Sequence, residues 1–253
     1  MTLLAVERIK LFSTRSPWWC IGLAAAIMVG FGALFTALSG GADFPLTVGT
    51  TQVGYGFALN VILVMSAIAI TTEYRTGTIR ATFMAVPNRT VALLAKAGTV
   101  GLVSGLVGEV IAFAAYGVGR LIKPNADLAL DAAAEWRYVS GVGLIFALSA
   151  VIAISVGALV RHTAGAIAIL LVWIMLVESL VGIIPRAGDD IQRWLPWVHA
   201  NHFLTEGNGE AAGEGSGFGL QMPFGPWGAL VYFAAFTAAM LGLAIAAVER
   251  RDA

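Results

Sequence analysis

Residues 139–160 read VSGVGLIFALSAVIAISVGALV, and residues 164–184 read AGAIAILLVWIMLVESLVGII. The first run carries no charged side chain, and the second carries one, Glu178. A helix rises about 1.5 Å per residue, so each run can cross the hydrocarbon core of a bilayer, which is roughly 30 Å thick. Only Arg161, His162 and Thr163 separate the two runs, so they predict a pair of antiparallel transmembrane helices.

Four more apolar runs of similar length continue this pattern along the chain. We place the six spans at residues 18–38, 50–70, 97–122, 139–160, 164–184 and 226–248. Of the 253 residues, 58% are hydrophobic and 12% are charged, whereas soluble domains carry roughly 25% charged residues. The sequence therefore predicts an all-α polytopic membrane protein that forms one transmembrane domain over residues 1–253.

Basic residues are distributed unevenly among the segments that join the spans. If the N-terminus lies inside, ten of the 15 lysines and arginines fall on inner segments and five on outer ones. Cytoplasmic loops of membrane proteins carry the excess of basic residues. The sequence therefore predicts a multi-pass protein of the inner membrane with both termini in the cytoplasm. The formal net charge is zero, so nothing in it favours binding to nucleic acid.

Residues 3–12 alternate apolar and polar side chains at helical spacing, with Glu7, Arg8 and Lys10 set among leucine, valine and isoleucine. This pattern is typical of an amphipathic helix that lies in the membrane interface. We predict such a helix on the inner surface, with its lysine and arginine facing anionic lipid headgroups.

The connection between the second and third spans, residues 71–89, reads TTEYRTGTIRATFMAVPNR and is the most polar connection in the first half of the chain. After the Gly77–Thr78 turn, the pattern predicts a short amphipathic helix that continues to Met84. Its polar and turn residues are Glu73, Arg75, Gly77, Thr78 and Arg80. Charge alone leaves an ordinary hydrated loop as an equal interpretation.

This connection resembles the first intracellular loop of the type-2 ABC exporter permeases, especially the single-domain permeases of bacteria. The shared features are an acidic residue, a Gly-Thr pair, an arginine and a proline–basic step, here Glu73, Gly77–Thr78, Arg80 and Pro87–Arg89. The predicted topology is also similar, with an N-terminal amphipathic helix, six spans, a very short connection between the fourth and fifth, and an extended outer segment before the sixth.

The resemblance implies the permease subunit of an ATP-driven exporter in the bacterial inner membrane. Its cargo would be amphipathic, such as a drug, a peptide antibiotic or a lipid-like molecule, and its role would be in multidrug or antibiotic resistance. The short helix after the second span would be a cytoplasmic coupling helix that contacts a separate ATPase. The residues that would form this contact are Glu73, Arg75, Gly77, Thr78 and Arg80.

The chain has no G-x-x-x-x-G-K-[ST] motif with which to bind nucleotide phosphates. We therefore expect no enzymatic activity and no cofactor on this chain, with ATP and Mg bound by cytoplasmic ABC ATPase subunits. The resemblance also implies a second copy of the chain, or a sister permease, to complete the path through the bilayer.

Two acidic residues lie inside predicted spans, Glu109 in the third and Glu178 in the fifth. Ionisable groups at membrane depth are costly and usually face a partner or a watery cavity. Counted from the inner ends of their spans, they lie about 18 and about 21 Å deep. We predict that they line one cavity and bind a cationic or polar part of the cargo. Two alternatives stay open: protonated carboxyls bonded to neighbouring helices, and an ion-coupled secondary transporter that uses both glutamates.

The third span is rich in small residues. Gly101 and Gly105 form a G-x-x-x-G pair, which lets two helices approach closely. We predict that this pair packs against another helix of the same chain rather than forming a dimer seam.

The outer segment after the fifth span contains residues 191–204, IQRWLPWVHANHFL, which predict an amphipathic or re-entrant piece at the outer interface. His199 and His202 are three residues apart within it, but two ligands without a third are weak evidence for zinc. We predict no metal site. The glycine-rich residues 206–219 predict a flexible outer loop.

Overall fold

The computed structural model of the chain describes residues 3–40, 45–86, 88–185, 187–205 and 222–251, apart from the side chains of residues 80, 83, 85 and 251. The regular elements in these ranges are helices. In chain order they are α1 (Leu3–Phe12), α2 (Ser16–Leu38), α3 (Val48–Thr51), α4 (Tyr55–Thr76), α5 (Thr78–Ala85), α6 (Arg89–Ile122), α7 (Ala133–Val160), α8 (Thr163–Val172), a π-helical turn (Trp173–Val177), α9 (Glu178–Val181), α10 (Gly188–Gln192), α11 (Pro196–Thr205) and α12 (Pro226–Arg251). The predicted flexible loop at residues 206–219 lies outside the described residues.

Six helices are long and apolar enough to cross a membrane, which confirms the six predicted spans and indicates a multi-pass membrane protein. They are α2, α4, α6, α7, the continuous run Thr163–Val181, and α12. The second span begins at Tyr55 rather than at residue 50, because the preceding residues form the separate helix α3. The third begins at Arg89 rather than at residue 97, because α6, at about 51 Å, is longer than the hydrocarbon core.

Helix α7 lies at the centre of the bundle. In its most apolar stretch 72% of the residues are buried, whereas the share is 17% for the fifth span and 22% for the first and sixth. It packs against α4, α6, α8, α11 and α12. Its fully buried side chains include Phe146, Ile145 and Ile152. The core therefore surrounds α7, and the peripheral spans expose apolar side chains, as contact with lipid requires.

Helices α6 and α7 approach each other closely through glycine. A Cβ atom at Gly101 would lie 3.1 Å from Cγ2 of Val151, and one at Gly105 would lie 3.2 Å from the carbonyl oxygen of Gly143. Both glycines therefore face α7 of the same chain, where the absence of a side chain lets the two backbones come together. The predicted role of the G-x-x-x-G pair in packing within the chain is confirmed.

The start of α1 and the end of α12 lie at the same end of the bundle. Glu249, near the end of α12, accepts a 2.5 Å hydrogen bond from Oγ1 of Thr90, in the first turn of α6. Lys96, two turns further along α6, pairs with Glu7 of α1. This end, which also carries α5 and the α7–α8 turn, is called the N-terminal end below, and the opposite end is called the far end. The side of the membrane that each end faces stays a prediction.

Candidate functional site

Four charged side chains from three helices meet at the N-terminal end and form an ion-pair network: Glu7 and Lys10 of α1, Glu73 of α4 and Lys96 of α6. The Nζ atom of Lys96 lies 2.6 Å from Oε2 of Glu7 and 2.9 Å from Oε1 of Glu73. The Nζ atom of Lys10 lies 2.7 Å from Oε1 of Glu7 and 3.5 Å from Oε1 of Glu73. Each ammonium group therefore has two carboxylates as neighbours, and the network has no net charge.

Three members of the network are removed from solvent. Glu7, Glu73 and Lys96 are 7%, 9% and 5% exposed. A buried charge is tolerated only when it is paired, so each of these side chains depends on the others. Burial opposes ionisation of Glu7, but the charges of Lys96 and Lys10 outweigh this effect and hold the pKa of its carboxyl below the usual value.

Helix α5 is joined to this network. Gly77 ends α4 and begins α5 with φ of 72°, a left-handed conformation that glycine adopts without strain. The Nζ atom of Lys10 donates a 3.1 Å hydrogen bond to Oγ1 of Thr82, in the middle of α5. The sharp turn at Gly77 and the bond at Thr82 together hold α5 against α1 and α4.

The predicted coupling residues are not all placed alike. The Glu73 carboxylate points inwards to Lys96 and Lys10, so it is an internal anchor of α4 in this structure. Arg75, Gly77 and Thr78 are exposed around the turn, where a partner protein could reach them. The side chain of Arg80 lies outside the described residues. Contact of these residues with an ATPase stays a prediction, in which Arg75, Gly77 and Thr78 are the residues that a partner could reach.

A small cavity lies beneath α5. Its walls include Ile79 and Thr82 of α5, Glu73 and Tyr74 of α4, and Lys96 of α6. Ile79 also packs against the hydrophobic core, so α5 is held by the turn, by Lys10 and by an apolar contact.

Helix α1 covers the predicted residues 3–12, but its charged face does not point where the pattern indicated. Glu7 and Lys10 bind the bundle, whereas Leu4 and Ile9 are 48% and 55% exposed. The expectation that the lysine faces lipid headgroups is corrected for Lys10, because its ammonium group pairs with two buried carboxylates instead. Arg8 is exposed, and its contact with lipid headgroups stays a prediction. Location of α1 in the membrane interface stays a prediction.

Glu178 lies at the end of the π-helical turn and is bound to the outer segment. Its Oε1 atom accepts a 3.2 Å hydrogen bond from Nε1 of Trp173 and a 3.1 Å bond from the backbone N–H of Trp197. The backbone N–H of Val198 is a further donor. The N–H groups in the first turn of a helix have no partner within the helix, so Glu178 caps the start of α11. These contacts favour the alternative of a carboxyl bonded to a neighbouring helix.

Glu109 has different surroundings. It is half-buried on α6, and its carboxyl lies beside Gly143 of α7. In the described part of the chain no lysine or arginine pairs with it. Glu109 is therefore held far more loosely than Glu178.

Helix α7 lies between the two carboxyls. Glu109 contacts Gly143, whereas Trp197, which binds Glu178, donates a 3.2 Å hydrogen bond from Nε1 to Oγ of Ser149. At 3.6 residues per turn, Gly143 and Ser149 point about 120° apart around α7. The contacts within one chain thus give no support to a single cavity lined by both glutamates, and that cavity stays a prediction.

Helix α11 forms within the predicted re-entrant piece, and its two histidines make separate contacts. The ring of His199 lies 4.2 Å from that of Tyr232 of α12, and Nε2 of His202 lies 3.0 Å from the carbonyl oxygen of Phe224. Burial, followed by the neighbouring His202, lowers the pKa of His199 to about 4, so its imidazole is neutral at pH 7. In the described ranges no three histidine, cysteine or acidic residues lie together as a metal site would require.

Sequence reasoning missed the ion-pair network. Lys96 was counted only as a basic residue of an inner segment, and Glu7 only as part of a polar helix face. One available signal was the position of Lys96 at the edge of an apolar span, because a lysine there must find water, headgroups or a carboxylate. The sequence does not say which carboxylate, since the partners lie far apart along the chain.

No family model matches the chain, and no curated protein matches it either.

Replacing Glu178 with alanine is expected to lower the free energy of unfolding by about 2 kcal/mol, because it leaves three N–H donors of Trp173, Trp197 and Val198 without an acceptor. Glu178→Gln keeps one acceptor oxygen and should cost less than half as much. Thermal unfolding in detergent, followed by tryptophan fluorescence, measures both. Equal stability of the parent and Glu178→Ala would show that the carboxyl does not anchor α11.

Proposed function

We propose that this chain is the permease subunit of an ATP-driven ABC exporter, with its N-terminal end in the cytoplasm of a bacterium. The observation that carries the proposal is the attachment of α5. This short helix follows the second span at a glycine turn, where Arg75 at the end of α4 and Thr78 at the start of α5 are exposed. It is bonded to Lys10, and through the ion-pair network it is tied to α1, α4 and α6.

The attachment explains how a force on α5 would reach the spans. Hydrogen bonds to charged groups are stronger than neutral ones, so the bond from Lys10 to Thr82 resists separation of α5 from α1. Lys10 and Lys96 share both carboxylates, so displacement of one helix is felt by α1, α4 and α6 together.

The remaining components belong to the proposal as well. A cytoplasmic ABC ATPase would bind ATP and Mg and press on α5, while this chain contributes no catalytic residue. A second copy or a sister permease would complete the path across the inner membrane. The cargo would be an amphipathic molecule, such as a drug, a peptide antibiotic or a lipid-like compound.

The proposal predicts that an ATPase co-purifies with the chain. Tagged protein extracted from its native membrane in mild detergent should carry a Walker-motif ATPase in stoichiometric amount, identified by mass spectrometry. Arg75→Glu should lower its recovery at least about tenfold, since reversing one interface charge costs on the order of the 1.4 kcal/mol that changes affinity tenfold. Arg80→Glu should act in the same direction.

Arg15→Glu is the matched control, because Arg15 is basic and exposed, precedes the first span and lies outside α5. It should leave the recovery of the ATPase unchanged. If Arg75→Glu and Arg80→Glu both retain the ATPase as the parent does, α5 is not the coupling helix.

The same purified preparation distinguishes the exporter from the alternative, an ion-coupled secondary transporter. It requires no ATPase, and it predicts uptake of cargo into vesicles driven by a proton gradient alone. Oε1 of Glu178 is engaged in capping α11, whereas Glu109 makes no ion pair with a described residue, so the two glutamates on which that alternative is based have different surroundings. Gradient-driven transport by protein free of ATPase would replace the exporter with this alternative.

A further inference from the structure

The turn between α7 and α8 contains a strained backbone. Arg161 ends α7 with φ of 58° and ψ of 13°, a left-handed conformation that is unfavourable for a residue with a Cβ atom. Elsewhere in the described part of the chain, positive φ falls on glycine. Glycine is also the usual residue where a helix ends in this conformation. The side chain of Arg161 must therefore make contacts that offset the strain.

The side chain of Arg161 reaches the end of α4. Its guanidinium carbon lies 5.1 Å from the centre of the Tyr74 ring, within the range of a cation–π contact. Tyr74 also lines the small cavity beneath α5, beside Ile79 and Thr82. One side chain thus contacts the α7–α8 turn and borders the proposed coupling helix.

Helix α7 also packs closely against α4 just before the turn. A Cβ atom at Gly157, one turn before Arg161, would lie 3.2 Å from Cγ2 of Thr71 and 3.5 Å from the carbonyl oxygen of Ala67. A glycine at such a crossing lets the two helices approach closely. The ends of α4 and α7 are therefore joined by backbone packing as well as by the Arg161 side chain.

The turn is fixed to α8 as well. Nδ1 of His162 accepts a 3.1 Å hydrogen bond from the backbone N–H of Gly165, in the first turn of α8. Such a cap satisfies an N–H group that has no partner within the helix. Helix α8 in turn packs against both α4 and α7. The end of α7, the turn and the start of α8 therefore form one connected unit.

The end of α4 is held from two sides. Glu73 pairs with Lys96 and Lys10. The next residue, Tyr74, contacts Arg161. Consecutive residues point about 100° apart around a helix. The ion-pair network therefore connects this end of α4 to α1 and α6, while Tyr74 connects it to the α7–α8 turn.

We propose that Arg161 is a positioning residue of the exporter, which fastens the α7–α8 turn to Tyr74 so that movement of α5 and the end of α4 is passed to α7 and α8. This role rests on the proposed function, since the movement would come from the ATPase. The fastening itself rests on the contacts among α4, α7 and α8. Because α7 is the central helix, movement passed to it reaches the spans that pack around it.

The fastening is tested on the full chain alone in lipid nanodiscs, by backbone hydrogen exchange read with mass spectrometry. Arg161→Gln keeps a polar, unbranched side chain at the strained position but removes the positive charge. Exchange at residues 71–76, the end of α4, should be about fivefold faster than in the parent, in line with the strength of a cation–π contact. Tyr74→Leu should have the same effect, whereas Tyr74→Phe keeps the aromatic face and should exchange as the parent does.

Arg120→Gln is the matched control, because the guanidinium carbon of Arg120 also lies over a tyrosine ring, 6.0 Å from the centre of Tyr116. This contact is near the far end, so exchange at residues 71–76 should stay as in the parent. Arg161→Gly removes the strain together with the side chain. It should unfold at or above the temperature of Arg161→Gln and still show fast exchange at residues 71–76, a combination that a purely stabilising role does not produce.

The transmission of movement is tested on the complex with the co-purified ATPase, with and without Mg and a non-hydrolysable ATP analogue. In the parent, the analogue should change exchange both at residues 78–85, in α5, and at residues 156–168, around the α7–α8 turn. In Arg161→Gln and in Tyr74→Leu, the change at residues 78–85 should remain and the change at residues 156–168 should be lost. Tyr74→Phe should respond as the parent does.

Equal exchange at residues 71–76 in the parent and Arg161→Gln would show that Arg161 does not fasten the turn to α4. A response at residues 156–168 that persists in Arg161→Gln, or that is absent from the parent although residues 78–85 respond, would show that Arg161 does not pass the movement on. Failure of the exporter proposal is a different result, in which no ATPase co-purifies. That result would overturn the transmission as well, and leave the fastening as measured on the chain alone.

Discussion

Lys96→Met is expected to lower the free energy of unfolding by about 3–5 kcal/mol, the range observed when one partner of a buried ion pair is removed. Lys96 lies within 2.9 Å of carboxylate oxygens from two helices, and it is 5% exposed. Methionine fills a similar volume but leaves Glu7 and Glu73 facing each other without their shared cation. Thermal or chemical unfolding of the purified chain in detergent measures the loss.

Two further variants show whether charge or shape is responsible. Adding Glu7→Gln and Glu73→Gln to Lys96→Met removes the stranded charges and should recover more than half of the loss, because a buried ion pair is often replaceable by neutral groups. Arg8→Met removes a cation from the exposed side of α1 and should change stability by less than about 0.5 kcal/mol. If Lys96→Met unfolds like the parent, the network does not stabilise the N-terminal end.

The same variant should loosen α5 in particular. Lys10 bonds both to the network and to Thr82, so a disturbed network weakens the side-chain bond that ties α1 to α5. In Lys96→Met, backbone hydrogen exchange should increase relative to the parent more at residues 78–85 than at residues 145–155. Such a difference would show that the buried charges restrain the proposed coupling helix as well as stabilise the fold.

The six spans were predictable because their signal is local. Each lies within a run of apolar residues, and the length of the run follows from the thickness of the bilayer. The residues at the helix ends were not predictable in the same way. The first two turns of α6, from Arg89 to Lys96, are polar enough to read as a loop, although they continue the helix beyond the membrane core.

The sequence predicts how deep a residue lies along its helix better than it predicts which side of the helix the residue occupies. Counting residues placed Glu109 and Glu178 at similar depths, but the position around each helix depends on which neighbours it packs against. Glu178 faces α11, a segment that the sequence left as amphipathic or re-entrant, and Glu109 faces Gly143 of α7. The intervening position of α7 is a property of tertiary packing that no single span reveals.

The pairing within the ion-pair network could not be predicted from the sequence either, because its members lie far apart along the chain. Glu7, Glu73 and Lys96 belong to helices that the sequence treats separately, and each has an obvious alternative partner in water or lipid headgroups. Their mutual selection depends on the packing of α1 beside the end of α4 and the start of α6. The sequence analysis placed Glu73 in a contact with a partner protein, whereas the structure pairs it inside the bundle.

Gly54→Ala is expected to cost about 3 kcal/mol, the upper range for overpacking a tightly filled site. A Cβ atom at Gly54 would lie 2.7 Å from Cα of Met28 and 3.0 Å from the carbonyl oxygens of Ile27 and Met28. All three atoms belong to the backbone of α2, so no side chain can rotate away to make room. The spans α2 and α4 would have to separate, and thermal unfolding in detergent should show a lower midpoint.

Gly56→Ala supplies the matched comparison two residues later on α4. A Cβ atom there would meet nothing within 4 Å, and alanine in a helix is more favourable than glycine by about 0.5–1 kcal/mol. Gly56→Ala should therefore unfold at the same temperature as the parent or above it. Because both variants add the same methyl group near the start of the same helix, the difference between them measures the approach of α4 to α2. If the two variants are equally stable, the close contact at Gly54 is wrong, and with it the placement of the first span against the second.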